Sequence, residues 1–338
     1  MTALDRPFEE TIKPLPTVEE GQALIKVAGC GVCHTDLSFW HYGVPTRKQP
    51  PLTLGHEISG IVLEGPAELV NRPVIVPAVL PCGECDLCRQ GRSNICRAQQ
   101  MPGNDFDGGF ATHVLVPARF LAQVPPELLK SHELAELAVI ADAVSTPYQV
   151  IQRSGLEEGD LAVLIGVGGV GIYAAQLARA RGAKVLAIDI DQDKLDRLAV
   201  VGIADTLSSR DLGIKEIKGR VKELARELDA PPHGWKIFEL SGAKAGQELA
   251  FALLGIAGTL SIVGFTMDRL EVRLSNLMAF DARVIGTWGC RPELYPEVIK
   301  MVADGDVILE PFTELQPLSS INDIFARTLA GELTKRPV

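Results

Sequence analysis

No uncharged run in this 338-residue chain reaches the ~20 residues that a membrane-spanning helix needs, and the opening Met-Thr-Ala-Leu-Asp-Arg-Pro-Phe-Glu-Glu lacks the basic-then-apolar order of a secretion signal. Both absences lead us to expect a cytoplasmic protein with no membrane partner. A positive excess is missing too. With 33 Lys and Arg against 43 Asp and Glu the formal net charge is −10, and the cations are scattered, which argues against nucleic acid as a partner. Internal repeats and low-complexity tracts are absent. What remains, 46% hydrophobic and 22% charged residues, fits an enzyme acting on a small molecule and long enough for two domains.

Cysteine is sparse, seven in all, yet four fall together in Cys82-Gly-Glu-Cys85-Asp-Leu-Cys88 and Cys96. In a reducing compartment clustered thiolates read as metal ligands rather than disulfides, and four on one short loop match tetrahedral zinc. Such a set closes the metal's coordination. It is therefore expected to hold a lobe at 82–96 together and to do no chemistry.

The texture of the chain changes along its length. Residues 23–27, 58–63, 74–79 and 112–116 are short β-like runs among frequent Gly and Pro, an irregular and mostly β domain. Beyond about residue 146, a continuous apolar strand at 161–165 and further strands at 184–188, 236–240, 259–263 and 283–286 alternate with helical stretches at 169–181, 191–201, 214–228 and 245–254. Alternation of this kind predicts a parallel, doubly wound sheet. The tail carries helices at 296–303 and 321–330 and is expected to return to the first domain.

Gly166-Val-Gly168-Gly169-Val170-Gly171 follows the first of these apolar strands and opens a helix. Gly166 suits a tight turn, Gly168 lets backbone approach a pyrophosphate, and Gly171 permits close helix packing, with the helix N-terminus facing the phosphates. Asp189, ending the next strand, is placed to accept from the adenosine ribose hydroxyls. Its charge would repel a 2′-phosphate, so NAD is expected over NADP. The alternative for Asp189, a helix N-cap, is one that Asp191 fills equally well.

Cys33-His34-Thr35-Asp36 and Gly55-His56-Glu57, taken with the four-cysteine lobe and the glycine fingerprint in this order, resemble the zinc-dependent medium-chain alcohol dehydrogenases over nearly the whole chain. The resemblance implies an α/β protein, a Rossmann doubly wound parallel sheet inserted in a β-rich GroES-like catalytic domain. Residues 1–145 would be catalytic, 146–286 would bind NAD, and 287–338 would return to the catalytic domain. It implies two zinc ions per chain. Cys33, His56 and Asp142 would hold the catalytic one, with Glu57 near enough to visit it, Asp36 orienting the ligand imidazole and Thr35 carrying the alcohol proton away. It adds His34, Thr146, Val170 and Lys194 to the cofactor contacts, and a homodimer or homotetramer joined through the edge of the nucleotide-binding sheet. Ser38 stands where the family often has a second relay histidine; His34, next to the first ligand, is a candidate for the pyrophosphate, and His41 is the alternative for the relay. Cys30 and Cys290 read as packed thiols.

Residues 28–38, 51–60, 139–148 and 234–248 further resemble a branch of this family that oxidises the ring alcohol of an alicyclic hydroxyacyl-CoA in anaerobic aromatic degradation. The small Ala78, where relatives often carry an aromatic, suits a six-membered ring. Arg47 and Lys48 are candidates for CoA phosphates, with a solvated basic pair as the alternative; Trp40 and Trp288 are candidates for the ring pocket, with plain core as theirs. Two other functions stay open: a dehydrogenase of simple cyclic or benzylic alcohols, and a hydratase adding zinc-activated water to a cyclic enone.

Overall fold

Five antiparallel strands form the first sheet: β1 (Gln22–Gly31), β2 (Glu57–Glu64), β3 (Pro73–Val76), β4 (His113–Pro117) and β5 (Ala122–Gln123), in the order β4-β1-β2-β3-β5. Alternate residues share a face, so Ala23, Ile25, Ile58, Val62, Val74, Val76, Val114 and Val116 meet in one core. The strand expected over 74–79 stops at Val76. Beyond it the backbone leaves the ladder, and Ala78 N–H turns to Ala141 O (3.4 Å) and Tyr295 Oη (3.3 Å).

The structure is a computed structural model describing residues 1–338, and the chain divides into two units, Met1–Ser145 with Gly289–Val338, and Thr146–Trp288. In the first unit a second core gathers Leu37, Phe39, Leu52, Leu54 and Phe325. Phe8 joins it, edge-on to Phe325 at 4.6 Å and stacked on Trp40 at 6.1 Å, while Trp40 Nε1 donates to Arg6 O at 2.8 Å. Trp40 is half-buried and packs against this core, in line with the plain-core alternative. The return segment contributes the helices Tyr295–Ala303 and Ile321–Leu329 and a short parallel pair, β12 (Thr313–Glu314) with β13 (Arg336–Pro337).

The second unit holds six parallel strands: β6 (Leu161–Ile165), β7 (Lys184–Asp189), β8 (Thr206–Ser208), β9 (Lys236–Glu239), β10 (Thr259–Ile262) and β11 (Arg283–Gly286), ordered β11-β10-β9-β6-β7-β8. Every residue of β6 is buried, the mark of a central parallel strand covered on both faces. The sheet grows outward from β6 in one direction as far as β8 and then in the other from β9, so the carboxyl ends of β6 and β9 form the switch point where such folds bind ligands. The helix expected over 191–201 divides into an α-turn at Gln192–Asp196 and a 3-10 turn at Arg197–Val201, closed by Gly202 at φ 70°. No helix is long and apolar enough to cross a membrane.

Candidate active site

The first unit carries two clusters of metal-ligating side chains, Cys82, Cys85, Cys88 and Cys96 in one and Cys33, His56, Glu57 and Asp142 in the other, with the ligand atoms of each within 4.8 Å of one another. In the first, the sulfur separations are 3.5 Å (Cys82–Cys96), 3.5 Å (Cys85–Cys88), 3.7 Å (Cys85–Cys96) and 4.0 Å (Cys82–Cys88). A tetrahedron of sulfurs at zinc–sulfur distance has edges of ~3.8 Å, so the set fits zinc. No cysteine is in a disulfide. Backbone N–H groups of Glu84 and Cys85 pull the Cys82 thiol down to about 6, whereas burial pushes Cys88 up to about 12.

In the second cluster, Cys33 precedes the short helix His34–Trp40, His56 precedes β2, and Asp142 ends a 3-10 helix, Glu136–Ala141. Asp142 Oδ2 lies 3.7 Å from Cys33 Sγ and 3.7 Å from His56 Nε2. Edges of ~3.4–3.8 Å follow from zinc with one sulfur and N/O ligands. His56 is buried, yet neither ring nitrogen makes a well-angled hydrogen bond. A buried imidazole nitrogen left this way and aimed at a thiolate and a carboxylate is what a metal ligand requires.

Asp36 organises this set. Its fully buried carboxylate accepts from Cys33 N (3.0 Å) and Gly55 N (3.2 Å) and lies 3.3 Å from His56 Nδ1, so one residue holds the approach to two ligands. Burial works against charge on His56, but Asp36 and then Asp142 outweigh it and push the imidazole well above its ordinary value. Positive metal in the same place takes over the role of that proton. Gly55, at φ 99°, allows no side chain here, since a Cβ would fall 2.6 Å from Cys30 Sγ. Cys30 is therefore a packing partner of the turn.

Glu57 meets a residue that sequence reasoning missed. Arg336 Nε and Nη2 donate to its two oxygens at 2.8 Å and 2.5 Å, a bidentate pair with both side chains buried. Burial pushes the Glu57 carboxyl up and Arg336 pulls it back. The Arg336 guanidinium, despite burial, is held above its ordinary value by Glu57, and the two-pronged geometry has both groups charged. Glu57 sits within the metal cluster but carries this partner. The two residues are 279 positions apart, and no local pattern announces the arginine.

Other expected residues fall as follows. Thr35 Oγ1 is 3.7 Å from Cys33 Sγ. Ser38 Oγ donates to His34 O of its own helix at 3.0 Å, His34 is exposed, and His41 Nδ1 is engaged by Asp5. Arg47 and Lys48 do not stand free for phosphates: Arg47 pairs with Asp105 at 3.0 Å and Lys48 with Asp107 at 2.8 Å. Cys290 is buried, and burial pushes its thiol up.

In the second unit Gly166 has φ 90°, and a Cβ on it would fall 2.6 Å from Ser241 Cα. At Gly171 a Cβ would meet Gly166 O at 2.0 Å, while at Gly168 it would meet nothing within 4 Å. The turn is closed against protein at Gly166 and Gly171 and open at Gly168, the shape an approaching phosphate needs. Val170, with Gly169 before it, leads into the helix Gly171–Ala180. Asp189 accepts from Val167 N at 2.8 Å and Asp191 N at 3.0 Å; the helix cap is Asp191, which accepts from Asp193 N at 3.1 Å. Lys194 lies 3.7 Å from Asp191, Thr146 is buried, and Trp288 is 52% exposed.

Comparison with known proteins agrees with this arrangement. Residues 19–126 match the alcohol dehydrogenase GroES-like domain and residues 169–304 the zinc-binding dehydrogenase domain. An alcohol dehydrogenase of Geobacillus stearothermophilus is 30% identical over 329 residues, 96% of this chain and 93% of that protein. Among solved structures, the alcohol dehydrogenase of Aeropyrum pernix superposes with TM-score 0.87 at 27% identity, covering 100% of this chain and 97% of its own. The acetophenone reductase of Geotrichum candidum, in complex with NAD, gives TM-score 0.82 at 25% identity over 99% of this chain and 95% of its own.

Proposed function

Because the chain belongs to the zinc-dependent medium-chain alcohol dehydrogenases, we propose that it oxidises a secondary cyclic alcohol to the ketone with NAD as oxidant. The observation that carries this is the convergence of Cys33, His56 and Asp142 on one point with a buried imidazole nitrogen turned into it. Bound there, zinc supplies a Lewis acid for the alcohol oxygen, and NAD supplies the hydride acceptor. The chain's own residues do the rest. Cys33 and Asp142 bring two negative charges and His56 a neutral donor, which balances a divalent ion. Asp36 fixes the imidazole, Thr35 relays the alcohol proton towards solvent by releasing its own hydroxyl proton as it accepts, and Arg336 holds Glu57. The turn from Gly166 to Gly171 carries the pyrophosphate, with His34, Thr146, Val170 and Lys194 as further cofactor contacts. Asp189 takes the ribose hydroxyls and, by its charge, selects NAD over NADP.

For the substrate, the finer proposal is 6-hydroxycyclohex-1-ene-1-carbonyl-CoA, oxidised to the 6-oxo enone. It rests on the likeness of residues 28–38, 51–60, 139–148 and 234–248 to the dehydrogenase of that compound and on the small, buried Ala78. Arg47 and Lys48 lend no support, being paired with carboxylates. The acetophenone reductase supports the alternative, a benzylic or simple cyclic alcohol. Comparing kcat/KM with NAD for the CoA thioester and for the free ring alcohol decides between them: a preference for the free alcohol removes the CoA assignment. Hydroxyketone formed from a cyclic enone without NAD would assign the centre to water addition instead. A homodimer or homotetramer is proposed through the edge strand β11, where Val284 is 40% and neighbouring Met278 79% exposed.

A further inference from the structure

We propose that Tyr295 is a positioning residue for the catalytic metal, setting Asp142 as a ligand through the carbonyl of Ala141. The inference rests on the zinc-site reading above and extends it to a residue outside the ligand motifs. Asp142 is the one ligand of the three that does not directly precede a helix or a strand. It ends a 3-10 helix with φ −143° and ψ −55°, outside regular geometry, so the helix itself does not set the direction of its carboxylate. Something else has to hold the peptide before it.

The structure supplies that hold at one point. Ala141 O accepts a hydrogen bond from Tyr295 Oη, and Ser145 Oγ lies 3.2 Å and Ala78 N 3.4 Å from the same oxygen. Tyr295 Oη in turn lies 3.3 Å from Ala78 N and 3.3 Å from Ser145 Oγ. The phenol joins the segment after β3, the peptide that carries Asp142 and the start of the helix Ser145–Ser154, and it is fully buried. Tyr295 enters from the return segment, 154 positions away from Ala141. A buried phenol takes an acceptor wherever it lies; here the acceptor is the carbonyl of the peptide that leads into a ligand. In a buried site, a carbonyl held by several donors turns little, and the ligand one residue on turns with it.

Tyr295→Phe keeps the ring and removes the hydroxyl. The experiment uses the zinc-loaded full chain and follows release of zinc to a chromogenic chelator, with the four-cysteine zinc as internal control. Alongside it, the visible spectrum of enzyme with cobalt at the catalytic position reports ligand geometry. We expect Tyr295→Phe to release its catalytic zinc ~10–100-fold faster than wild type and to shift the cobalt bands, with the four-cysteine ion leaving at the wild-type rate. Equal release rates together with superimposable cobalt spectra would overturn the proposal. Should Tyr295→Phe not fold, Ser145→Ala, which removes another donor near the same carbonyl, decides: faster catalytic-zinc release supports the tie, and unchanged release overturns it. Failure of the underlying reading looks different, because wild-type protein would then hold only one zinc and show no second release phase.

Discussion

Replacing Arg336 with Met leaves the Glu57 carboxylate without its partner in a place that water does not reach, since Glu57 is fully buried and Arg336 is 8% exposed. Removing one member of a buried ion pair costs about 3–5 kcal/mol, because the remaining charge keeps its desolvation cost and loses the two-pronged hydrogen bond. The thioether stem fills most of the volume of the arginine stem, so packing loss adds little. Gly31 makes the site tight around the carboxylate, since a Cβ there would fall 2.2 Å from Glu57 Oε2, and the acid has no room to swing away on that side. Glu57→Gln made in the same chain neutralises the stranded charge and should recover most of the loss, with a coupling energy of ~2–3 kcal/mol. The assay is urea unfolding of zinc-loaded protein in a Trp235→Phe, Trp288→Phe background, so that Trp40 reports the first unit alone. Arg336→Met within ~1 kcal/mol of wild type, or no recovery on adding Glu57→Gln, would refute the reasoning.

Three further outcomes follow from the geometry. Asp36→Asn places an amide among Cys33 N, Gly55 N and His56 Nδ1, and should weaken zinc at the catalytic position ~10–100-fold while the four-cysteine zinc stays, as read by competitive chelation. Gly168→Ala should leave the melting temperature unchanged and weaken NAD by ~10-fold, or ~1.4 kcal/mol, whereas Gly171→Ala should cost ~1–3 kcal/mol of stability, because only the second Cβ meets protein; calorimetry of binding and melting separates them. Burial holds the Glu239 carboxyl above its ordinary range, so the folded state binds this proton more tightly than the unfolded one. Its contribution to stability is then full at acid pH and lost as pH rises through the folded value, and Glu239→Gln should gain on wild type as pH rises above the ordinary carboxylate range in denaturant titrations.

Much of the second unit was legible because its strands lie in the sheet interior. Residues 161–165 and 185–188 are unbroken apolar runs, and such runs occur where a strand is covered on both faces. Thr206–Ser208 was not legible: three residues of mixed polarity at the sheet edge carry no period. The helix Ser145–Ser154 was hidden by Pro147 in its first turn and by the ligand motif that overlaps it. In the first unit, Cys33, His56 and the four cysteines stand in short motifs, while Asp142 was reachable only through resemblance, since a lone aspartate at the end of a 3-10 helix has no signature. Arg336 and Tyr295 were beyond reach because they act on partners 279 and 154 positions away with which they share no motif. Burial of a charged or phenolic side chain is a tertiary fact, and the sequence around it looks like any surface helix or tail.

The most direct test of the central claim is zinc content and NADH formation measured together on wild type and Asp142→Ala with a secondary cyclic alcohol. The account predicts two zinc ions and turnover for wild type, and one zinc ion, that of the four cysteines, with turnover lost for the variant. Two zinc ions and wild-type rates in Asp142→Ala would contradict it.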